Sequence, residues 1–136
     1  MEYVATLEFV PELRAPRAAR TFAAETLAAW GVRPLHIEAV QLVVSELVTN
    51  ALRHAPESPS ITVQLRASDA SVHVRVSDGG QGGPERRDPS DPGMGNEGGR
   101  GVWILEAFTD DWGTEQDEHG GKTVWCEVPA EPASKR

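Results

Sequence analysis

The sequence predicts an α+β fold, a two-layer α/β sandwich in which helices cover one face of a mixed, mainly antiparallel sheet. The first supporting observation is a pair of consecutive helical stretches, residues 16–30 and 34–55, each of which opens with a proline. The second is a set of short segments in which apolar and polar residues alternate, as they do in half-buried strands: 2–10, 61–67, 71–77, 112–115 and 122–128.

Helix-ending and turn residues place the boundaries between these elements. A proline-containing break at 11–16 precedes the first helix, Gly31 suits its C-terminal end, and Pro56 closes the second helix. The polar segment 85–98 is rich in glycine and proline, which predicts a mobile loop or lid. A third helix is predicted at 102–110, before the hairpin that the last two strands form.

The composition narrows the classes of partner. The chain has 136 residues, a formal net charge of −8 and a pI near 4.9, which disfavours nucleic acid or an anionic membrane as the main partner. No signal peptide or membrane-spanning run is recognisable, and the single cysteine, Cys126, can form neither an internal disulfide nor a zinc site. We therefore expect a cytoplasmic protein with one domain over residues 1–129 and a flexible tail over 130–136.

The second helix carries the most informative polar residues. At about 100° per residue, Glu46, Asn50 and Arg53 share one narrow arc, with His54 just beyond it. A carboxylate one turn ahead of a carboxamide suits a ligand, although such residues are also common on solvated helix faces. The opposite side is apolar and suits packing against a core: Val40, Val43, Val44, Leu47, Val48 and Ala51.

Two glycine-rich segments downstream indicate a nucleotide as the ligand. Asp78 ends a strand and offers a carboxylate to an exocyclic amine, while Gly80 and Gly82 allow close approach of the backbone to a flat ligand. Gly99 and Gly101 precede a helix, whose N-terminal N–H groups suit phosphate. Each segment alone is also compatible with a tight turn or a flexible loop, and neither the P-loop nor the dinucleotide fingerprint is found.

The order of these elements resembles the GHKL ATPase and kinase superfamily, which has the histidine-kinase-like ATPase fold. The resemblance covers about residues 3–129 and is closest to the stand-alone serine/threonine kinases that act as anti-sigma factors in Gram-positive bacteria, particularly the actinobacterial members. The matching elements are Glu46 and Asn50 in the N box, 78–82 in the G1 box (DxGxG), 99–101 in the G2 box, and 121–123 in a late Gly-Thr element.

The resemblance implies a role for each matched residue. Asn50 would hold Mg²⁺ through its amide oxygen, and Glu46 would orient or deprotonate the substrate hydroxyl. Asp78 would accept a hydrogen bond from the adenine amino group. The other residues would surround the nucleotide: Gly80 and Gly82 beside the base and ribose, Thr123 supporting the adenine through its hydroxyl or a bridging water, and Gly99, Arg100 and Gly101 closing over the phosphates.

Several assignments stay open at this point. His54 either contacts phosphate or satisfies carbonyls at the helix end, and Arg53 has a similar alternative. Lys122 either reaches a phosphate or faces solvent, and a second glycine turn at 93–95 could share the role of 99–101. A sensor histidine kinase would also need a dimerisation helix with a phosphoacceptor histidine, which we expect to require a separate chain.

The resemblance implies an ATP-binding serine/threonine kinase that uses Mg-ATP. Its substrate would be a small, STAS-like antagonist protein, and it would control a sigma factor by partner exchange, with no direct nucleic-acid or membrane partner. Members of this type often pair, so a homodimer is a further expectation. The alternatives are an ATP-dependent protein-binding module without turnover, and a scaffold that has lost nucleotide binding.

Overall fold

Two long helices and five strands make up most of the described chain. The structure is a computed structural model, and it describes residues 2–55, 57–79, 104–116 and 121–130. Residues 104–108 are also helical and are called α3 here. The other elements are β1 (Tyr3–Phe9), α1 (Ala15–Ala29), α2 (Pro34–His54), β2 (Ile61–Ala67), β3 (Ser71–Asp78), β4 (Asp111–Gln116) and β5 (Lys122–Pro129).

The five strands form one sheet in the order β1-β2-β3-β5-β4. All four pairings between these described strands are antiparallel, so no parallel pair contributes to this part of the sheet. β3 and β5 are neighbours, and Asp78 lies directly opposite Lys122 in their register. The predicted α+β sandwich is therefore confirmed, with a sheet that is antiparallel throughout its described strands.

The helices pack on one face of this sheet. The buried residues of α1 (Ala15, Ala19, Ala23 and Leu27) recur every four positions, and the small side chains of the three alanines let α1 lie closely against α2. α2 in turn lies on β2, β3 and β5. The core side of the sheet is supplied by alternate strand residues, as period-two alternation requires: Ile61, Val63, Leu65, Ala67, Val72, Val74, Val76, Cys126 and Val128.

The intervening strand residues lie on the opposite side, which we call the open face: residues 71, 73, 75 and 77 of β3 and 123, 125 and 127 of β5. His73 Nδ1 lies 2.6 Å from Glu127 Oε2, and the His73 ring stacks on Trp125 with centroids 5.8 Å apart. Arg75 Nη2 donates to Glu115 Oε1 on β4 at 2.9 Å, across the intervening strand β5. Polar cross-strand pairs and stacked rings therefore occupy the open face.

The residues that follow α1 and β5 show how these two elements end. Gly31 has φ +83°, and this left-handed residue follows α1 as predicted. At the C-terminal end of β5, the backbone pairing continues by one residue. Ala130 is buried and its N–H donates to the Ala70 carbonyl at 2.9 Å, which extends the β3–β5 pairing past Pro129. Residues 131–136 lie outside the described residues.

Candidate functional site

The polar arc of α2 lies on an uninterrupted helix. Because α2 is continuous from Pro34 to His54, Glu46 and Asn50 are one turn apart, about 6 Å along the axis. Both are half-buried, whereas Arg53 is exposed and His54 is half-buried in the last turn. The arc thus lies beside the core-facing stripe of the helix.

The other flank of α2, across the core-facing stripe from this arc, is attached to α1. Arg20 Nη1 donates to Ser45 Oγ at 2.8 Å, and Gln41 Nε2 donates to the Arg20 carbonyl at 3.1 Å. Ser45 immediately precedes Glu46. These two hydrogen bonds resist rotation of α2 about its axis, and so they help to fix the direction in which Glu46 and Asn50 point.

Asp78 ends β3 on the same side of the sheet as α2. Val72, Val74 and Val76 point into the helix-covered core, and alternation places Asp78 on that side as well. Its side chain is half-buried. The structure therefore brings a strand-terminal carboxylate and the Glu46/Asn50 arc to one face of the sheet, as the order of the sequence elements predicted.

Ser58 connects the segment after α2 to the end of β3. It is buried, and its hydroxyl donates to the Ser60 carbonyl at 2.6 Å and accepts from the Gly79 N–H at 2.8 Å. The residue that follows Asp78 is thereby held against the chain that leaves α2. Sequence reasoning missed Ser58 because it belongs to no helix or strand, and a serine in a short turn carries no periodic signal.

Thr123 is not brought to Asp78. Its Oγ1 lies 2.7 Å from Ser77 Oγ, because the register places these two residues opposite each other on the open face. Lys122, the preceding residue, is the one paired with Asp78, and it is exposed. Adjacent strand residues point to opposite faces of a sheet, so Thr123 and Asp78 lie on opposite faces. The support of adenine by Thr123, through its hydroxyl or a bridging water, stays a prediction.

The remaining predicted nucleotide contacts lie outside the described residues. These are Gly80, Gly82, Gly99, Arg100 and Gly101, together with the alternative glycine turn at 93–95. In the described part of the chain, no three His, Cys, Asp or Glu side chains cluster as a metal site. A single amide oxygen and a nearby carboxylate still fit Mg²⁺, which prefers oxygen ligands and keeps several waters when it binds phosphates. The Asp78 carboxylate likewise fits an exocyclic amine.

The α2 arc and the end of β3 thus define a candidate nucleotide site on a two-layer sandwich. A sequence model of the histidine kinase-like ATPase domain matches residues 9–127. The chain therefore belongs to the histidine kinase-like ATPase family, which confirms the GHKL resemblance. Within the described residues, no helix is both long and apolar enough to cross a membrane.

Two similar proteins are much longer than this chain. Sensor protein IrlS of Burkholderia pseudomallei is 28% identical over 105 residues, which are 66% of this chain and 23% of the sensor protein. The crystal structure of the RsbU and RsbW domains of Rv1364c from Mycobacterium tuberculosis has a TM-score of 0.62 and 21% identity, and the match covers 95% of this chain and 34% of that chain. At this identity, the second similarity shows the fold alone.

Proposed function

We propose that this protein is an ATP-binding serine/threonine protein kinase of the anti-sigma-factor type. The observation that carries the proposal is the placement of Glu46, Asn50 and Asp78 on one side of the sheet in a histidine kinase-like ATPase chain. Similarity in fold to a structure that contains an RsbW domain adds support. We further propose that residues 1–129 act as one nucleotide-binding unit.

The adenine end of the site is assigned to Asp78. Its carboxylate accepts a hydrogen bond from the exocyclic amine, which gives adenine an advantage over purines that lack this donor. Ser58 keeps the adjoining Gly79 in place through the 2.8 Å hydrogen bond. Gly80 and Gly82, by resemblance, line the base and ribose.

The phosphate end is assigned to the α2 arc. Asn50 supplies an amide oxygen to Mg²⁺, which when bound neutralises charge on the phosphates. Glu46, one turn earlier, orients the attacking hydroxyl of a serine or threonine and accepts its proton. By resemblance, Gly99, Arg100 and Gly101 close over the phosphates, and His54 at the end of α2 contacts them from the helix side.

The partners follow from the same resemblance. The phosphoacceptor is a small, STAS-like antagonist protein, and the regulated partner is a sigma factor that the kinase sequesters. The acidic chain favours a protein over nucleic acid as the direct partner, because its net charge of −8 repels phosphate backbones. A homodimer and a cytoplasmic location complete the proposal.

Nucleotide binding is tested first, by calorimetry with Mg-ATP and with Mg-ITP, which lacks the exocyclic amine. Asp78→Asn should weaken ATP binding by roughly tenfold or more and remove the preference for ATP over ITP. The matched control is Asp69→Asn, in the exposed turn at the other end of β3. Equal effects of the two substitutions, or no ATP binding by the natural chain, would contradict the assignment and favour the scaffold without nucleotide.

Phosphotransfer is tested separately with a purified STAS-like antagonist and labelled ATP. Glu46→Gln should leave ATP affinity unchanged and lower the transfer rate by roughly 10²–10⁴-fold, the usual contribution of a general base. Glu25→Gln, an exposed α1 residue, serves as the matched control. Tight ATP binding without any transfer in the natural chain would instead identify the non-catalytic binding module.

A further inference from the structure

An apolar groove lies at the end of α2 that is remote from Asn50. Its volume is about 530 Å³, and it is bounded by the first half of α2, by the end of α3 with the residues after it, and by the end of β5. Leu35, Ala39 and Leu42 form one wall, while Phe108 and Val128 contribute to the others. None of these residues belongs to the candidate nucleotide site.

The α2 wall exposes more apolar surface than a solvated helix face needs. Leu35 is 68% exposed and Leu42 is 40% exposed, and they are seven residues apart with Ala39 between them. This spacing places all three on one stripe about 10 Å long. An exposed leucine alone needs no explanation, but two leucines beside a preformed apolar groove indicate a surface that another helix can cover.

The charges at the groove indicate which kind of helix it would bind. Glu38 and Asp110 line it and are both exposed, and the only basic side chain among its lining residues is His36. A second copy of this chain would bring its own carboxylates against the same rim, which is unfavourable. A helix with lysine or arginine on either side of an apolar stripe complements both the rim and the wall.

We propose that this groove docks a basic amphipathic helix of the protein that the kinase phosphorylates, an inference that rests on the proposed function. Leu35, Ala39 and Leu42 share their stripe with Glu46 and Asn50. Ala39 precedes Glu46 by seven residues, or about 10 Å along the axis. A partner held in the groove therefore has adjoining residues within reach of the proposed base, which raises the local concentration of its hydroxyl.

The experiment uses a fluorescein-labelled peptide of about 18 residues, long enough to be partly helical. It has leucines three and four residues apart with lysines on the flanking positions, and a control peptide has glutamate at each lysine position. Fluorescence anisotropy without nucleotide should show binding of the lysine peptide that weakens with salt, and at least tenfold weaker binding of the glutamate peptide.

Matched substitutions locate the binding. Leu35→Ala and Leu42→Ala should each weaken binding of the lysine peptide roughly tenfold. Leu13→Ala should not weaken it, because Leu13 lies outside the groove and is 96% exposed. Glu38→Lys should weaken it several-fold, and Glu25→Lys, with the same charge change on α1, should have little effect. Mg-ATP affinity should be unchanged in all five variants.

Three outcomes would overturn the groove assignment. They are equal binding of the two peptides, equal effects of Leu13→Ala and Leu42→Ala, and a dimer in analytical ultracentrifugation that Leu35→Ala dissociates. Failure of the proposed function gives a different result. If the chain binds the lysine peptide but not ATP, the groove assignment stands and the kinase assignment fails. If the chain binds ATP but not the lysine peptide, the groove assignment fails and the nucleotide site stands.

Discussion

Ser58→Ala is the sharpest test of how the end of β3 is held beside α2. The substitution removes the donor to the Ser60 carbonyl and the acceptor of the Gly79 N–H, with hydrogen bonds of 2.6 and 2.8 Å. Because Ser58 is only 4% exposed, water replaces these partners poorly. We expect a loss of about 1–3 kcal/mol in the free energy of unfolding.

The same change should also weaken nucleotide binding. Gly79 adjoins Asp78, so a released strand end orients the carboxylate less well, and the loss of one well-aligned hydrogen bond corresponds to roughly five- to tenfold weaker ATP binding. Mg-ITP binding should change less, because ITP lacks the exocyclic amine from which the Asp78 carboxylate is proposed to accept a hydrogen bond. This difference separates a positioning role from a general loss of stability.

The free energy of unfolding is measured by urea denaturation, with circular dichroism as the signal. The control is Ser68→Ala in the exposed turn before β3, where the serine hydroxyl makes only contacts of 3.4 and 3.5 Å. That variant should lose less than about 0.5 kcal/mol. If Ser58→Ala is as stable as Ser68→Ala, the inferred connection between the two segments is refuted.

Three further predictions concern the sheet. Gly113→Ala should destabilise the fold by about 1–3 kcal/mol, measured by urea denaturation, because a Cβ at Gly113 would lie 2.9 Å from the Trp125 ring; an unchanged midpoint would contradict this packing. Burial, with a smaller contribution from the neighbouring Glu127, raises the pKa of the Cys126 thiol from 9.0 to about 12. The unfolded chain therefore loses this proton first, stability falls as pH rises above 9, and at pH 10 the cost is on the order of 1 kcal/mol relative to neutral pH. Cys126→Val should remove this component of the pH dependence. Arg75→Ala should cost less than about 1 kcal/mol, because the Glu115 carboxylate it contacts is exposed, and any larger salt-sensitive loss would refute that estimate.

The fold was predictable because its elements have strong periods. The alternation at 61–67 and 71–77 yields strands that end within one residue of the observed bounds, since each strand buries every second side chain. The prolines at 16 and 34 similarly indicated where α1 and α2 begin. The local sequence pattern thus determines where the helices and strands lie, and the packing of helices on one face of the sheet follows from their apolar faces.

The site was only partly predictable because order along a chain does not specify side-chain direction. Asp78 and the α2 arc share one face, as expected, but Thr123 lies on the open face because a shift of one residue reverses direction in a strand. Ser58 depends on a tertiary contact with Gly79, and no pattern within its own turn encodes that partner. The groove beside Leu42 likewise requires elements that are distant in sequence.

The direct pairing of Asp78 with Lys122 has a consequence for how such chains diversify. The chain between these residues leaves and re-enters the sheet at paired positions, so its length outside α3 and β4 can change without moving the β3–β5 register. In a simple loop-closure estimate, each doubling of a flexible loop costs only about 0.6 kcal/mol. Insertions and deletions between Asp78 and Lys122 that leave α3 and β4 intact are therefore a low-cost evolutionary route to sequence variation on an unchanged framework.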